Sequence, residues 1–172
     1  MTGLISSPVS GLRGEAAVPG DKSISHRSLM FGALAHGRTA VTGLLEGEDV
    51  IHTADALRAM GATIEAPAEN GGTWHIEGIG DTPLRSPDGK VYLGNSGTSA
   101  RLLMGVVAGY PLAVTFTGDA SLSRRPMGRV ITPLTAMGAV FEAAEGGRLP
   151  LRVTGKDKLT AIEYTLPVAR RR

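Results

Sequence analysis

The segment LRAMGATIEA at residues 57–66 returns as LTAMGAVFEA at residues 134–143, with seven of ten positions identical at an offset of 77 residues. Upstream of each copy, the tripeptide Ala-Val-Thr occurs at residues 40–42 and again at residues 113–115. Two matches in the same order indicate an internal duplication, in which one structural unit is used twice.

Each copy has the hydrophobic periodicity of a βαβαββ unit. In the first copy the predicted elements are a short strand running into a turn at 18–21, a helix at 25–35, a strand at 39–43, a helix at 50–60, and strands at 63–66 and 73–77. In the second copy they are a strand running into a turn at 93–97, a helix at 98–107, a strand at 113–117, a helix at 127–137, and strands at 140–143 and 149–153. Gly61 and Gly138 are predicted to end the second helix of each unit as C-terminal caps. The fold class is therefore α/β (α+β), with units at residues 15–80 and 88–155.

A third copy is predicted to start at residues 160–169, because residues 162–168 alternate like an opening strand. Three arginines then occupy residues 170–172. Repeat units bury their faces against neighbouring copies, so we expect the chain to be truncated there. A natural basic tail is the alternative.

Composition excludes several classes of protein. The 172 residues contain no cysteine, which removes disulfide frameworks, thiolate nucleophiles and cysteine metal sites. No apolar run is long enough for a membrane span, and residues 1–13 lack a signal-peptide pattern. A cytoplasmic location is the default expectation. The net charge is only +2, and no basic stripe with interleaved aromatics indicates nucleic-acid binding, so small anions fit better.

The first turn with candidate binding residues is PGDKSISHRS at residues 19–28. Glycine allows close approach of the backbone, and the following helix directs unpaired N–H groups at the turn. Lys22, Ser23 and Arg27 lie about one helical turn apart, so they can face one phosphate or carboxylate. The spacing is not that of a P-loop, so ATP is not implied. A structural cap is the alternative for this turn.

The second turn, LGNSGTSAR at residues 93–101, repeats this arrangement. Gly97 leaves space and a free amide at the helix start. Asn95 and Thr98 are predicted to cap the helix. Arg101 can reach back to the turn, although a purely structural role is equally open.

The third segment is GDASLSRRPMGR at residues 118–129. Pro126 suits the first turn of a helix. Arg125, immediately before it, is disfavoured in helical conformation, so its guanidinium should project from a fixed turn and bind an anion through two hydrogen bonds. Solvated surface is the alternative for the pair Arg124 and Arg125.

Other polar residues give weaker signals. His26 has no carboxylate partner in its motif and is predicted to be structural. Asp49 is predicted to cap a helix, although it could act with Glu46 or Glu48 as an acid or base. Trp74 and Phe141 are assigned to the core. Three further histidines have no metal-ligand spacing: His36, His52 and His75.

Taken in order and spacing, the motifs at residues 19–27, 94–101 and 118–127 resemble those of the 3-phosphoshikimate 1-carboxyvinyltransferases, or EPSP synthases. The resemblance extends from about residue 12 to residue 169. It implies a fold of two similar domains resembling inverse α/β barrels, each built from three βαβαββ units, with the active site in the cleft between them. Residues 15–169 would then be an incomplete N-terminal domain, and residues 1–14 would belong to the second domain.

The resemblance also implies roles for individual residues. The enzyme class transfers the enolpyruvyl group of phosphoenolpyruvate to the 5-hydroxyl of shikimate 3-phosphate and needs no metal or organic cofactor. The resemblance implies that Lys22 is the catalytic residue and contacts both substrates. Ser23 and Arg27 would bind shikimate 3-phosphate, and Gly97 and Arg125 would bind phosphoenolpyruvate. The loop around phosphoenolpyruvate would be supported by Asn95, Thr98 and Arg101. Some glyphosate-tolerant relatives carry alanine at the position of Gly97, so ordinary glyphosate sensitivity is expected of a complete enzyme.

Two departures from the family pattern limit this expectation. Arg170 to Arg172 replace a Ser-x-Gln segment, and the second domain is absent. We therefore expect negligible activity from the chain alone.

Two alternative functions are considered. One is a non-catalytic substrate-binding fragment, or one that pairs with a separate C-terminal chain. The other is the related UDP-N-acetylglucosamine enolpyruvyl transferase, which Lys22-Ser23 and the lack of cysteine disfavour.

Overall fold

The structure is a computed structural model that describes residues 5–166, and these residues form two consecutive α/β units. The helices are α1 (Lys22–Leu34), α2 (Glu48–Ala59), α3 (Gly97–Ala108), α4 (Ala120–Ser123) and α5 (Gly128–Ala136). The strands are β1 (Arg38–Val41), β2 (Thr63–Glu65), β3 (Trp74–Glu77), β4 (Val91–Tyr92), β5 (Ala113–Thr117), β6 (Val140–Ala144) and β7 (Arg148–Thr154). Within residues 5–166, every helix is too short or too polar to cross a bilayer.

The two units share one sheet topology. The first unit has the strand order β1-β3-β2 and the second has β4-β5-β7-β6, so β1, β3 and β2 correspond to β5, β7 and β6. All pairs are antiparallel except β4 with β5, which is parallel. The duplication predicted from residues 57–66 and 134–143 is therefore confirmed as a repeated fold.

The two repeated glycines end α2 and α5 in the same way. Gly61 has φ +100° and Gly138 has φ +105°, a region that glycine enters without a steric penalty. In both cases the amide after the glycine donates to a carbonyl five residues earlier at 3.0 Å, which satisfies a carbonyl that the helix leaves free. The predicted C-terminal caps are confirmed.

The buried side chains of both units form one hydrophobic core. Trp74 is almost fully buried and Phe141 packs against the core from its edge, as predicted. Helix α2 contacts α1 within the first unit and α3 in the second. The largest fully buried apolar side chains come from both units and include Leu29, Leu57, Ile76, Leu103, Phe116 and Leu151.

The opening strand predicted for the first unit is wrong. Residues 5–21 contain no strand, so the first unit is αβαββ and only the second is βαβαββ. Pro19 has no N–H to donate to a sheet, and Val18 is exposed, so nothing stabilises a strand there. Residues 162–166 also form no strand, and the remainder of that predicted strand lies outside the described residues.

Helix α1 begins at Lys22, three residues earlier than predicted. The Asp21 side chain accepts a hydrogen bond from the Ile24 amide at 2.7 Å and caps the helix there. Lys22 and Ser23 therefore belong to the first helical turn rather than to the preceding loop. Their positions are set by the helix, which makes them rigid.

The helix predicted at 127–137 is confirmed as α5, and a separate short helix precedes it. Asp119 caps the short helix α4 by accepting from the Leu122 amide at 2.7 Å, and this helix was not predicted. Pro126 then precedes Met127, the N-terminal cap of α5, so the prediction that Pro126 lies in the first turn is wrong. Arg125 consequently lies in the connection between two helices.

Candidate anion-binding site

Three helices begin around one pocket. Lys22 is the first residue of α1, Asp49 is the second of α2, and Gly97 is the first of α3, and all three line the pocket. A helix N-terminus presents unpaired amides and the positive end of its dipole. The pocket therefore has a favourable potential for anions before any side-chain charge is added.

The pocket is an open cleft of about 450 Å³. Every one of the eight predicted site residues lines it. Four of its side chains are cationic, and one is a carboxylate. The lining residues are Lys22, Ser23, Arg27, Asp49, Asn95, Gly97, Thr98, Arg101, Leu102 and Arg125.

Two pocket residues were not predicted from the sequence, the apolar Leu102 and the carboxylate Asp49. The predicted cap is wrong, because Gly47 occupies the cap position of α2 and offers no side chain. The Asp49 carboxylate instead accepts from the Lys22 ammonium across 27 residues of sequence. Asp49 is largely buried, whereas Lys22 is half exposed, so the ammonium retains donors that face the pocket. The acidic first turn of α2 was the sequence feature that could have indicated a role for Asp49. That its carboxylate pairs with Lys22 could not be predicted from the sequence.

Ser23 and Arg27 lie together on the exposed side of α1. Nη1 of Arg27 donates to the Ser23 carbonyl at 2.9 Å, which holds the guanidinium over the first turn of the helix. The remaining guanidinium donors are available to an acceptor in the pocket. Within residues 5–166 the Ser23 hydroxyl makes no hydrogen bond.

Gly97 lies directly beneath two guanidinium groups. A Cβ at this position would lie 2.7 Å from Nη1 of Arg101 and 2.9 Å from Nη1 of Arg125, closer than side chains normally approach. Arg101 also donates to the carbonyls of Gly97 at 2.9 Å and Pro126 at 3.3 Å. The absence of a side chain at residue 97 therefore allows both arginines to reach the helix start.

The charge at this end of the pocket is repulsive in the absence of an anion. Burial lowers the pKa of Arg101, and the charges of Arg125 and Arg129 lower it further. Arginine remains protonated at neutral pH despite such shifts. An anion between Arg101 and Arg125 would offset both the desolvation and the repulsion.

The predicted caps of α3 are wrong. Ser96 is the cap, and its hydroxyl accepts from the Ser99 amide at 3.1 Å. Within the described part of the chain, the side chains of Asn95 and Thr98 make no hydrogen bond and line the pocket instead. All three residue types favour caps, so the choice among them depended on backbone geometry that the sequence does not reveal.

Other candidates lie away from this pocket. The Glu46 carboxylate accepts from Nε1 of Trp74 at 2.9 Å, and Glu48, the first residue of α2, is not among the residues that line the pocket. His26 is fully buried, with Nδ1 2.8 Å from Oγ1 of Thr53, as its predicted structural role requires. No three histidine, aspartate or glutamate side chains of residues 5–166 converge in a way that would hold a metal ion.

Comparison with known proteins gives matches along nearly the whole chain. The family model described as EPSP synthase (3-phosphoshikimate 1-carboxyvinyltransferase) matches residues 7–170. The 3-phosphoshikimate 1-carboxyvinyltransferase of Novosphingobium aromaticivorans is 63% identical over 158 residues, which are 92% of this chain and 35% of the relative. That of Parvibaculum lavamentivorans is 58% identical over 166 residues, which are 96% of this chain and 36% of the relative.

The fold is also similar to a solved structure. The EPSP synthase from Acinetobacter baumannii matches with a TM-score of 0.84 and 50% identity, over 91% of this chain and 35% of that one. The chain spans about a third of the length of the curated relatives it matches.

Proposed function

The chain belongs to the EPSP synthase family, and from that premise we propose that its pocket binds phosphoenolpyruvate and shikimate 3-phosphate for enolpyruvyl transfer. The observation that carries the proposal is the convergence of Lys22, Arg27, Arg101 and Arg125 on one cleft at three helix N-termini. Both substrates are phosphorylated anions, and helix N-termini with flanking arginines are suited to such groups.

We assign the two ends of the pocket to different substrates. On α1, Ser23 and Arg27 offer a hydroxyl and a guanidinium one turn apart, and these suit the phosphate of shikimate 3-phosphate. At the start of α3, Gly97 leaves Arg125 free to approach, and this end suits the phosphate of phosphoenolpyruvate. Lys22 lines the same pocket and would contact both substrates.

In the proposed reaction the 5-hydroxyl group loses its proton as its oxygen adds to C2 of phosphoenolpyruvate, and C3 gains a proton. Loss of phosphate, with loss of a proton from C3, then gives the enolpyruvyl ether. The phosphate gains negative charge as its bond to C2 breaks, so fixed cations that need no reorganisation stabilise this developing charge and lower the barrier. The Lys22 ammonium donates one hydrogen bond to Asp49 and can direct the others to substrate oxygens.

Isothermal titration calorimetry of the 172-residue chain with shikimate 3-phosphate tests the binding proposal. Unphosphorylated shikimate is the matched control, because it lacks only the group that the cations should recognise. We expect binding of shikimate 3-phosphate that weakens with added salt, and much weaker binding of shikimate. Equal affinities, or no heat with either compound, would contradict the proposal.

Turnover is proposed for a protein that has the full length of the named relatives, of which this chain spans about a third. For the chain alone we expect substrate binding without measurable phosphate release, which is the non-catalytic alternative. A phosphate-release assay with both substrates separates binding from turnover. A separate C-terminal partner, a cytoplasmic location and ordinary glyphosate sensitivity remain predictions from the sequence.

A further inference from the structure

A chain of hydrogen bonds runs through the interior between α1, α2 and α3. Nδ1 of His26 lies 2.8 Å from Oγ1 of Thr53, which lies 2.7 Å from Oγ of Ser99. Oγ of Ser99 lies 2.6 Å from Oγ of Ser96. All four residues are 0% exposed. We call His26, Thr53, Ser99 and Ser96 the buried polar chain.

Each member of the buried polar chain adjoins a residue that lines the pocket. His26 immediately precedes Arg27 on α1. Thr53 lies one turn after Asp49 on α2 and donates to the Asp49 carbonyl at 3.2 Å. Ser99, in the first turn of α3, reaches the same carbonyl at 3.3 Å. The three helix starts are therefore joined to one another through the interior by residues that are close in sequence to those lining the pocket.

Stability alone is a weak reason for such an arrangement. The hydrogen bonds offset the cost of burying these polar groups, but apolar side chains of the same shape often stabilise a core equally well. Hydrogen bonds differ from apolar contacts in fixing distance and direction. An anion site built from separate helices needs its groups held within about 0.5 Å, and directional bonds between the helix starts supply that restraint.

The tautomer of His26 makes Thr53 the central member. Nε2 of His26 is buried and has no hydrogen-bond partner within residues 5–166. An orphaned buried N–H is rarer than an orphaned acceptor, so we assign the proton to Nδ1, which donates to Thr53. The Thr53 hydroxyl is then free to donate to Ser99 or to the Asp49 carbonyl. Valine at this position would leave His26 and Ser99 without their shared partner.

We propose that Thr53 and Ser99 are positioning residues, which hold the starts of α1, α2 and α3 in the mutual geometry that the anion site requires. The proposal rests on the proposed function for its ligand. It assigns no contact with substrate to either residue, because both are fully buried. Their effect is transmitted through Asp49 on one side and the first turn of α3 on the other.

The test variants are Thr53→Val and Ser99→Ala. One control is Thr53→Ser, which keeps the hydroxyl. The other is Thr132→Val, the same change at an exposed position on α5. Two quantities are measured on each folded 172-residue variant. The first is the dissociation constant for shikimate 3-phosphate by calorimetry. The second, without ligand, is amide hydrogen exchange at Ser25 and Ser99, which report on α1 and α3 although Thr53 lies on α2.

We expect Thr53→Val to weaken binding by about tenfold, and to speed exchange at both reporter amides by a similar factor. Ser99→Ala should also weaken binding, and it provides the test if the Thr53→Val variant fails to fold. Thr53→Ser should restore binding to within about threefold of the original chain, and Thr132→Val should change neither quantity.

Two results would overturn the positioning role: unchanged exchange at Ser25 and Ser99 in Thr53→Val, or a loss of stability with binding unaltered in the folded protein. The proposed function fails separately, if the unsubstituted chain does not bind shikimate 3-phosphate. In that event the exchange measurement still decides whether the buried polar chain couples the helices.

Discussion

Nη1 of Arg125 lies 2.9 Å from the position that a Cβ on Gly97 would occupy. The first residue of α3 and a guanidinium from the connection between α4 and α5 are thus in contact only because residue 97 has no side chain. The same Cβ would approach Nη1 of Arg101 even more closely, at 2.7 Å. This relationship makes the phosphoenolpyruvate end of the pocket sensitive to one methyl group.

Replacing Gly97 with alanine should therefore displace the two guanidinium groups without unfolding the chain, because the ends of arginine side chains move readily. We expect the affinity for phosphoenolpyruvate to fall by about tenfold, the cost of one charge-assisted hydrogen bond. Affinity for shikimate 3-phosphate should change less, because Ser23 and Arg27 lie on α1. Calorimetric titration with each substrate measures the difference.

Gly105→Ala is the matched control on the same helix. A Cβ at Gly105 would meet nothing within 4 Å, so the substitution changes only helix propensity. It should raise the free energy of unfolding by up to about 1 kcal/mol and leave both affinities unaltered. An unchanged affinity for phosphoenolpyruvate in Gly97→Ala would show that the close approach of the two guanidinium groups to residue 97 is not needed for binding.

Arg125 and its neighbour Arg124 provide a second comparison at constant net charge. Both side chains are exposed, but Arg125 lines the pocket and Arg124 does not. We expect Arg125→Gln to weaken phosphoenolpyruvate binding by at least about tenfold, because a direct charge-assisted hydrogen bond is lost. Arg124→Gln should weaken it by less than about twofold, since an exposed charge is screened by salt. Titration at two salt concentrations measures both effects, and equal losses would indicate a general field rather than a specific contact.

Local features of this fold were predictable because short segments determine them. The repeated Leu-x-Ala-Met-Gly segment predicted the helix ends at Gly61 and Gly138, and a positive φ at each follows from glycine itself. The convergence of Lys22, Gly97 and Arg125 on one pocket was expected because equivalent strand-to-helix corners of repeated units lie on one side of a fold.

Features that depend on distant partners were not predictable in the same way. Asp49 was assigned to a helix cap because its contact, Lys22, lies 27 residues away. The strand expected at residues 18–21 needed a neighbouring strand that no local pattern guarantees. The buried polar chain was missed because serine and threonine look the same in sequence whether they are buried or exposed.

The choice of cap for α3 gives a stability prediction. The Ser96 hydroxyl accepts from the Ser99 amide and is fully buried. Ser96→Ala should lower the free energy of unfolding by about 1–2 kcal/mol, whereas Asn95→Ala and Thr98→Ala should each lower it by less than about 0.5 kcal/mol. Urea unfolding followed by circular dichroism measures all three. A larger loss from Thr98→Ala than from Ser96→Ala would contradict the cap assignment.

The buried imidazole of His26 gives a prediction about pH. Burial lowers its pKa below the ordinary 6.5, the charges of Lys22 and Arg27 lower it further, and Asp49 opposes the shift. At a pH between the lowered pKa of His26 in the folded chain and its ordinary pKa in the unfolded chain, the unfolded chain binds a proton that the folded chain does not. The contribution of His26 to stability is therefore constant above about pH 6.5 and is lost as the pH falls below it.

A variant that cannot titrate isolates this contribution. His26→Asn keeps a side-chain donor for Thr53, so below about pH 6.5 its free energy of unfolding should fall less steeply than that of the unsubstituted chain. The difference in slope cannot exceed about 1.4 kcal/mol per pH unit, because only one proton is involved. His36→Gln, at an exposed histidine, should retain the steep decline. Urea unfolding at about pH 7, 6 and 5 gives the slope of the free energy of unfolding against pH for each chain. Equal slopes for His26→Asn and the unsubstituted chain would mean that His26 accepts its proton in the folded state as readily as in the unfolded state.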